Sequence, residues 1–239
     1  MITRTGIKAL ILSLLLCLTP ISRTAIAQNA TPQLKLVQFY MALLRRGPNW
    51  AAGETAPPVQ LKQQHLAYAG SLLDSGKAMV AGPLQDGGAL MGIYIFRASS
   101  LEEAKAWAEN DPLAKAGLVS PEMHPWWAED VMKRPSTPLK ITTVYLVLLK
   151  RGQNWTAGKT REDAALQQAH LANIRRLADL KKMVIAGPFG DDTDLRGIFV
   201  FRVSSAAEAN TLCATDPMVQ KGHLSAAIYG WQIPEGVFP

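Results

Sequence analysis

Two apolar stretches, Leu34 to Leu44 and Leu139 to Leu149, are rich in aliphatic, aromatic and β-branched residues. Each is predicted to form a strand. A helical pattern follows the second stretch, with apolar residues and one histidine repeating on a single face of LQQAHLANIRRLADL. That face holds Leu166, His170, Ile174 and Leu177. Thr160 is expected to cap this helix, with Asp163 at the third helical position.

Further along, two apolar runs flank a turn rich in Gly and Asp, which predicts a strand pair. These runs are Met183 to Phe189 and Leu195 to Val203, matched earlier by Ala78 to Leu84 and Leu90 to Ala98. Ser99 and Ser204 are expected to cap a second helix, and a last strand is expected to end at Trp126 or Trp231. The predicted order βαββαβ is that of a ferredoxin-like domain.

The chain is one unit written twice. Trp50 and Trp155 are 105 positions apart, and the same offset relates the rest of the unit without a gap from Leu34 to Trp126. Matched pairs include Tyr40 with Tyr145, His65 with His170, Asp111 with Asp216, and Trp126 with Trp231. We therefore predict a tandem duplication, with domain one at 34–127, a Pro-containing linker at 128–138 and domain two at 139–239.

An antiparallel sheet with helices on one face leaves its other face bare, and that face must be buried. The expected fold is α+β, with two ferredoxin-like domains packed sheet to sheet as a pseudo-dimeric α/β barrel. A monomer with pseudo-twofold symmetry, or a higher assembly of it, would follow.

The N-terminus is predicted to be a signal peptide at residues 1–27. Arg4 and Lys8 precede the apolar run Ala9 to Leu18, which is too short to span a bilayer, and Ala25-Ile26-Ala27 is a typical cleavage site. Cleavage near Ala27 would leave a disordered segment at 28–33 and a periplasmic or secreted protein, without a stable membrane anchor.

Composition excludes some classes of function. Removal of residues 1–27 lowers the formal net charge from +6 to +3, and the remaining basic residues are interspersed with acids. Nucleic-acid binding is therefore not expected, because it needs a clustered basic surface. Cys213 would be the single remaining cysteine, so stability must come from the core rather than from disulfides.

The duplicated motifs resemble those of the YCII-related family, within the dimeric α/β-barrel superfamily. The family pattern is a helix His, an Ala-Gly-Pro strand, a Phe-x-x-x-Ser-x-Glu-Glu-Ala segment, an Asp-Pro pair and a downstream Gly, and each unit supplies corresponding residues. In unit one these include His65, Ala81-Gly82-Pro83, Phe96 to Ala104, Asp111-Pro112 and Gly117. The resemblance implies one cleft per unit, containing the helix His and the Asp of the Asp-Pro pair. It also implies enzyme-like relatives, among them isomerases, lyases and cofactor-free oxygenases.

This chain departs from the family pattern in several places. Lys62 and Gln167 stand where an Arg is often found, one turn before the His. Unit two has a fuller acidic turn (Asp191, Asp192, Asp194 and Arg196) than unit one, which has Asp86, with Met91 in place of the Arg. His124 occurs only in unit one. The two clefts are therefore expected to be unequal, with Arg196 and His124 as candidate substrate-binding residues.

His65 and His170 are the candidate catalytic groups, because imidazole exchanges a proton near neutral pH. Asp111 and Asp216 could orient them and stabilise the charged form. The alternative is structural: a His satisfied within the core, and an Asp at the turn that precedes a proline. Trp50 and Trp155 are expected to cap the clefts over an aromatic or other small organic ligand, or else to pack across the barrel end.

Neither a metal site nor a nucleophilic triad is expected. No His-x-x-x-His or Cys-x-x-Cys spacing occurs, and no nucleophile elbow or dinucleotide fingerprint is present. Three hypotheses remain open. The first is a cofactor-independent lyase, isomerase or dehalogenating enzyme. The second is a non-catalytic module that binds a small molecule or a protein, and the third is one active cleft beside a degenerate one.

Overall fold

The computed structural model describes five stretches of the chain, namely residues 35–51, 53–85, 88–135, 138–156 and 160–239. The predicted signal peptide, the segment 28–33 and Asp86 lie outside these residues. Within the described stretches, none of the helices is both long and apolar enough to cross a membrane.

Unit one has the predicted βαββαβ order with one short helix added. Its elements are β1 (Leu36–Arg46), α1 (Val59–Asp74), β2 (Ala78–Gln85), β3 (Leu90–Phe96), α2 (Leu101–Glu109), α3 (Pro112–Lys115) and β4 (Val119–Glu129). Because β4 continues to Glu129, the first two residues of the predicted linker belong to a strand.

Unit two repeats these elements at the predicted offset. They are β5 (Ile141–Arg151), α4 (Arg161–Asp179), β6 (Met183–Pro188), β7 (Leu195–Phe201), α5 (Ala206–Cys213), α6 (Pro217–Gln220) and β8 (Leu224–Pro234). The two first strands begin and end two residues later than the sequence pattern predicts.

The eight strands form one sheet in the order β4-β1-β3-β2-β8-β5-β7-β6. Alternate residues of β1 face opposite ways: Phe39, Met41 and Leu43 lie in a core shared by both units, whereas Tyr40 and Ala42 pack beneath the helices. The strands are therefore buried on both faces, as the predicted sheet-to-sheet packing requires. The described residues from Lys35 onward consequently form one compact unit, with one core shared by both repeats and a further core beneath the helices of each repeat.

The barrel nearly closes at two related seams. At one seam β2 pairs with β8, where Leu84 lies opposite Trp231. At the other, Trp126 bridges to Phe189. Each tryptophan is fully buried and donates its indole N–H to a glycine carbonyl of the other unit, from Trp231 to Gly82 (3.2 Å) and from Trp126 to Gly187 (3.1 Å).

The caps of the second helices lie one residue later than expected. Ser100 and Ser205 are the N-caps, each accepting a hydrogen bond from the backbone N–H of a glutamate three residues on. Ser99 and Ser204 were expected in that position but instead donate to the side chains of those glutamates, Glu103 and Glu208. The two adjacent serines thus divide the reciprocal capping contacts between them.

The first helices of the two units start differently. Thr160 and Asp163 form the predicted capping box of α4. Helix α1 instead begins after Pro58 with no side-chain cap.

Because Thr160 caps α4, Thr160→Ala should lower the free energy of unfolding by about 1 kcal/mol. The matched control is Thr55→Ala, 105 residues earlier, where no helix is capped and a change within about 0.5 kcal/mol is expected. Equal effects in urea denaturation would contradict this account.

Candidate functional site

In unit one, His65 and Asp111 meet between two helices. His65 projects from α1, and Asp111 is the N-cap residue of the short helix α3. His65 Nδ1 lies 2.7 Å from Asp111 Oδ2. The Asp111 side chain is fully buried, whereas 20% of the His65 side-chain surface is exposed to solvent. We refer to this pair as dyad one.

In unit two, His170 of α4 and Asp216 of α6 repeat the arrangement. His170 Nδ1 lies 2.8 Å from Asp216 Oδ2, and Asp216 is again fully buried. The ring of His170 stacks on Phe199, with the ring centroids 5.8 Å apart. We refer to this pair as dyad two. The sequence prediction that each helix His lies near the Asp of the Asp-Pro pair agrees with this geometry.

Each aspartate has two separate tasks. Oδ1 of Asp111 accepts the backbone N–H of Leu113 at 2.9 Å, and Oδ1 of Asp216 accepts that of Met218 at 2.9 Å. Oδ2 remains for the histidine in both units. The structural and the functional interpretations of Asp-Pro are thus compatible, because one carboxylate serves both purposes.

The two dyads differ in a third group. Tyr94 donates its hydroxyl to Oδ2 of Asp111 at 2.7 Å, but Phe199 at the equivalent position has none. In unit two Asn173 supplies an amide N–H to Oδ2 of Asp216 at 3.4 Å, from the position that Tyr68 holds in unit one. Each buried carboxylate therefore keeps an additional donor from a different element.

Two of the tyrosines of unit one, Tyr68 and Tyr94, have pKa values that the buried carboxylate of Asp111 affects. Burial, and after it the charge of Asp111, raises the pKa of Tyr94 far above its ordinary value. The same two causes raise the pKa of Tyr68. These hydroxyls therefore act as fixed donors, and Tyr94 does not supply a phenolate to the site.

Each dyad uses Nδ1 of its histidine, so Nε2 is available to contact a bound molecule. With an ionised aspartate as acceptor, Nδ1 carries the proton and Nε2 presents its lone pair. Among the described residues Nε2 of His65 and of His170 has no hydrogen-bond partner, and neither atom is sealed from solvent. Such an imidazole can accept a proton and then be stabilised by the carboxylate behind it.

Dyad one opens into cleft one, a cavity of about 410 Å³. Its walls come from α1, β2 and β3 of unit one and from both ends of unit two. The polar groups that line it are few: Lys62, His65, Tyr94 and Gln232. Among its apolar residues, Leu66, Leu139 and Ile141 are exposed at the surface.

Dyad two opens into cleft two, a cavity of about 450 Å³. Trp155, His170 and Arg196 all line it, and Leu36 of β1 contributes from the other unit. The Arg196 guanidinium lies over the Trp155 ring, 5.4 Å from its centroid. Both clefts have the size and mainly apolar lining of small-molecule sites.

A comparison with models of protein families identifies the family of this chain. The model of the YCII-related domain matches twice, over residues 39–126 and 143–232. The chain belongs to the YCII-related domain family. Its two family domains carry one dyad each. None of the curated proteins matches the chain.

Solved structures with a similar fold include chlorite dismutases. A single-substitution variant of chlorite dismutase from Candidatus Nitrospira defluvii has a TM-score of 0.53 and 12% identity, covering 83% of this chain and 92% of its own. The imidazole complex of that enzyme has a TM-score of 0.52 and 12% identity, covering 86% and 93%. A heme-binding protein from Thermus thermophilus has a TM-score of 0.49 and 13% identity, covering 83% and 93%. At 12% identity, the likeness to the two dismutase structures shows the fold alone.

The structure places the two loop tryptophans, Trp50 and Trp155, differently. Trp50 does not line cleft one, but packs against the core beneath the unit-one helices. Its indole N–H donates to the carbonyl of Glu54 at 3.0 Å, and Arg46 lies over its ring. In unit one, therefore, the Trp50 side chain is held by the backbone of its own loop. In unit two, Trp155 lines cleft two.

His124 also lies away from both clefts. It is buried at the seam between β4 and the turn after β6, where its Nδ1 is 2.6 Å from Asp191 Oδ2. Glu122 lies 3.2 Å from its Nε2 and also pairs with Arg45. This placement joins the two units at a seam of the barrel, and contact of His124 with substrate stays a prediction.

Cys213 is the remaining group with nucleophilic chemistry near a dyad. Burial, and after it the charge of Asp216, raises the pKa of its thiol to about 12 from an ordinary value of 9.0. The fraction of Cys213 present as thiolate at pH 8 is then roughly a thousandfold lower in the folded than in the unfolded chain.

We expect Ellman's reagent to label Cys213 slowly in a folded chain that starts at Gln28, and at once when that chain is unfolded in guanidinium. Equal rates would contradict the inert thiol. Because the pKa of Cys213 is higher in the folded than in the unfolded chain, the free energy of unfolding should fall as pH rises from about 9 towards 12.

Sequence reasoning missed three features of these sites. Tyr94 and Asn173 were not singled out, although the offset alignment places Tyr opposite Phe at 94 and 199, and Tyr opposite Asn at 68 and 173. The contributions across the units, such as Gln232 in cleft one, follow from the barrel and have no local signal. Within the described residues, no group of three His, Cys, Asp or Glu is placed to hold a metal ion.

Proposed function

We propose that this protein is an exported enzyme that moves a proton on a small organic molecule without a cofactor. A lyase, isomerase or dehalogenating reaction would suit this chemistry. The observation that carries the proposal is the repeated geometry of each dyad: a cleft-lining imidazole bound through Nδ1 to a fully buried carboxylate. The signal-peptide pattern at residues 1–27 supports export.

In the proposed mechanism, Nε2 of His65 or His170 removes a proton from the bound molecule. The imidazolium that forms is stabilised by the side chain of Asp111 or Asp216 that contacts its Nδ1. The same proton is then returned to another atom of that molecule or to its leaving group. Tyr94 or Asn173 holds the carboxylate in place through the cycle. The apolar walls limit access of water to the reacting atoms.

The first test is a thermal-shift screen of small metabolites against the wild type and the His65→Ala/His170→Ala double variant. A ligand at about a hundred times its dissociation constant should add roughly 2.7 kcal/mol to stability. We expect hits that the double variant loses. Hits kept at full strength in the variant would place the functional site elsewhere.

The second candidate is a non-catalytic module that binds a small molecule or an envelope protein. The unequal clefts favour it, because one has Lys62 and Met91 where the other has Gln167 and Arg196. A module of this kind predicts saturable binding in which the ligand is recovered unchanged. Chemical conversion of any bound molecule would exclude it.

The histidine of each dyad also has the chemistry needed to bind the iron of a haem group. A histidine that binds a metal commonly donates its other ring N–H to a carboxylate, as the histidine of each dyad would. His65 or His170 would hold the group, which would supply redox chemistry. Our proposal predicts that added haemin gives no saturable shift of the Soret absorption. A shift that the double His variant loses would replace the cofactor-free mechanism.

A further inference from the structure

The two clefts differ in charge at one matched position. Arg196 lines cleft two, and Met91 stands at the equivalent place in cleft one. We propose that cleft two binds organic carboxylates, with the carboxylate group on Arg196 and the rest of the ligand between Trp155 and His170. This deepens the proposed function by giving cleft two a substrate class, and rests on it only in taking His170 as the reacting group.

Backbone carbonyls hold the Arg196 guanidinium in one orientation. Nε donates to Leu195 O at 2.8 Å, and Nη2 donates to Asp191 O at 2.9 Å and to Thr193 O at 2.7 Å. Nη1 makes no hydrogen bond to the described residues. Carbonyls orient the group without neutralising it. Its positive charge and two N–H donors therefore remain for an anion.

The acidic turn beside Arg196 does not neutralise it either. In the part of the chain that the structure describes, no carboxylate lies within ion-pair distance of Arg196. Asp191 pairs with His124, and Asp192 pairs with Arg151. Asp194 is exposed, so solvent screens its charge.

The aromatic groups around Arg196 favour a planar ligand. Trp155 packs against the guanidinium and Phe199 stacks with His170, and all four side chains line cleft two. An aromatic acid could place its carboxylate on Nη1 and its ring against these surfaces. A ligand anchored in this way has its other atoms within the cleft that also contains His170.

Cleft one has a different character. Met91 supplies no charge, and the cation of cleft one is Lys62, an exposed side chain on α1. The exposed residues Leu66, Leu139 and Ile141 make its surroundings apolar. A flexible, hydrated ammonium lacks the fixed fork of an arginine and is a weaker anchor for a carboxylate. We therefore assign carboxylate binding to cleft two.

Isothermal titration calorimetry with benzoate and its neutral isostere benzamide tests the assignment. Wild type should bind benzoate at least about tenfold more tightly than benzamide. Arg196→Met, which copies the residue of cleft one, should weaken benzoate binding roughly 10- to 100-fold and leave benzamide binding nearly unchanged. Arg196→Lys should keep part of the preference. Lys62→Met is the matched control and should retain it in full.

Three results would overturn the assignment: unchanged benzoate affinity in Arg196→Met, loss of affinity in Lys62→Met instead, or no saturable binding of benzoate by wild type in the millimolar range. Circular dichroism of each variant separates these results from misfolding. The calorimetric readout is independent of turnover. Arg196-dependent binding with no conversion of any ligand would leave this inference standing while the proposed enzyme failed.

Discussion

Replacing Gly187 by alanine should lower the free energy of unfolding by at least about 3 kcal/mol, or prevent folding. A Cβ at this position would lie 1.8 Å from the carbonyl oxygen of Trp127 and 3.1 Å from the indole nitrogen of Trp126. The obstacle is backbone of the other unit, which cannot rotate away as a side chain can. The same glycine carbonyl accepts the Trp126 indole N–H, so the substitution would disturb both the close approach and the hydrogen bond at this seam.

Gly82→Ala should have the same effect at the opposite seam, because its Cβ would lie 1.8 Å from the carbonyl oxygen of Gln232. Gly70→Ala is the control: it lies within α1, and apart from its chain neighbours and the backbone of its own helix, no atom of the described residues lies within 4 Å of the added Cβ. That change should stabilise the protein by about 0.5–1 kcal/mol. Urea denaturation measures all three variants. Losses below about 1 kcal/mol at Gly82 and Gly187 would contradict the barrel closure described above.

The second large effect concerns turnover. Once a substrate is known, His170→Ala or His65→Ala should reduce kcat/KM for the cleft concerned by roughly 10²- to 10⁴-fold, because the variant loses the group that carries the proton. The folded structure should persist, because Tyr94 or Asn173 still donates to Oδ2 of the buried carboxylate when the histidine is removed.

The single variants also distinguish two active clefts from one. If both clefts are active, each variant should retain about half of the turnover, and only the double variant should lose nearly all of it. If one cleft is degenerate, a single histidine will account for the entire loss. His223→Ala is the control, because His223 lies outside both clefts and its replacement should leave turnover unchanged. Full turnover in the double variant would exclude the proposed mechanism.

Most of the fold could be predicted from the sequence because the duplication presents every element twice. The offset of 105 residues relates β1 to β5 and β4 to β8 without error. The bare sheet face led to the shared core that contains Phe39 and Leu146. The short helices α3 and α6 were not predicted, since four residues carry too little periodicity to reveal a helix.

The candidate site was predictable where one element determines the position of a side chain. His65 and Asp111 were expected to meet on the basis of family motifs, and they do. The positions of Trp50 and His124 could not be predicted in this way, because a loop conformation and a seam between units depend on contacts far along the chain. The contact of His124 with Asp191 joins residues 67 positions apart and has no local sequence signal.

The most direct test of the central claim is deuterium exchange. Any ligand found in the thermal-shift screen is incubated in D₂O with wild type and with the His65→Ala/His170→Ala variant, and proton NMR follows the loss of its carbon-bound hydrogens. If Nε2 of a dyad moves a proton on the bound molecule, wild type should exchange a specific hydrogen or form a product that carries deuterium, and the variant should do so at least about a hundredfold more slowly. Exchange at equal rates in both proteins, or binding with neither exchange nor conversion in wild type, would contradict a catalytic role for the dyads.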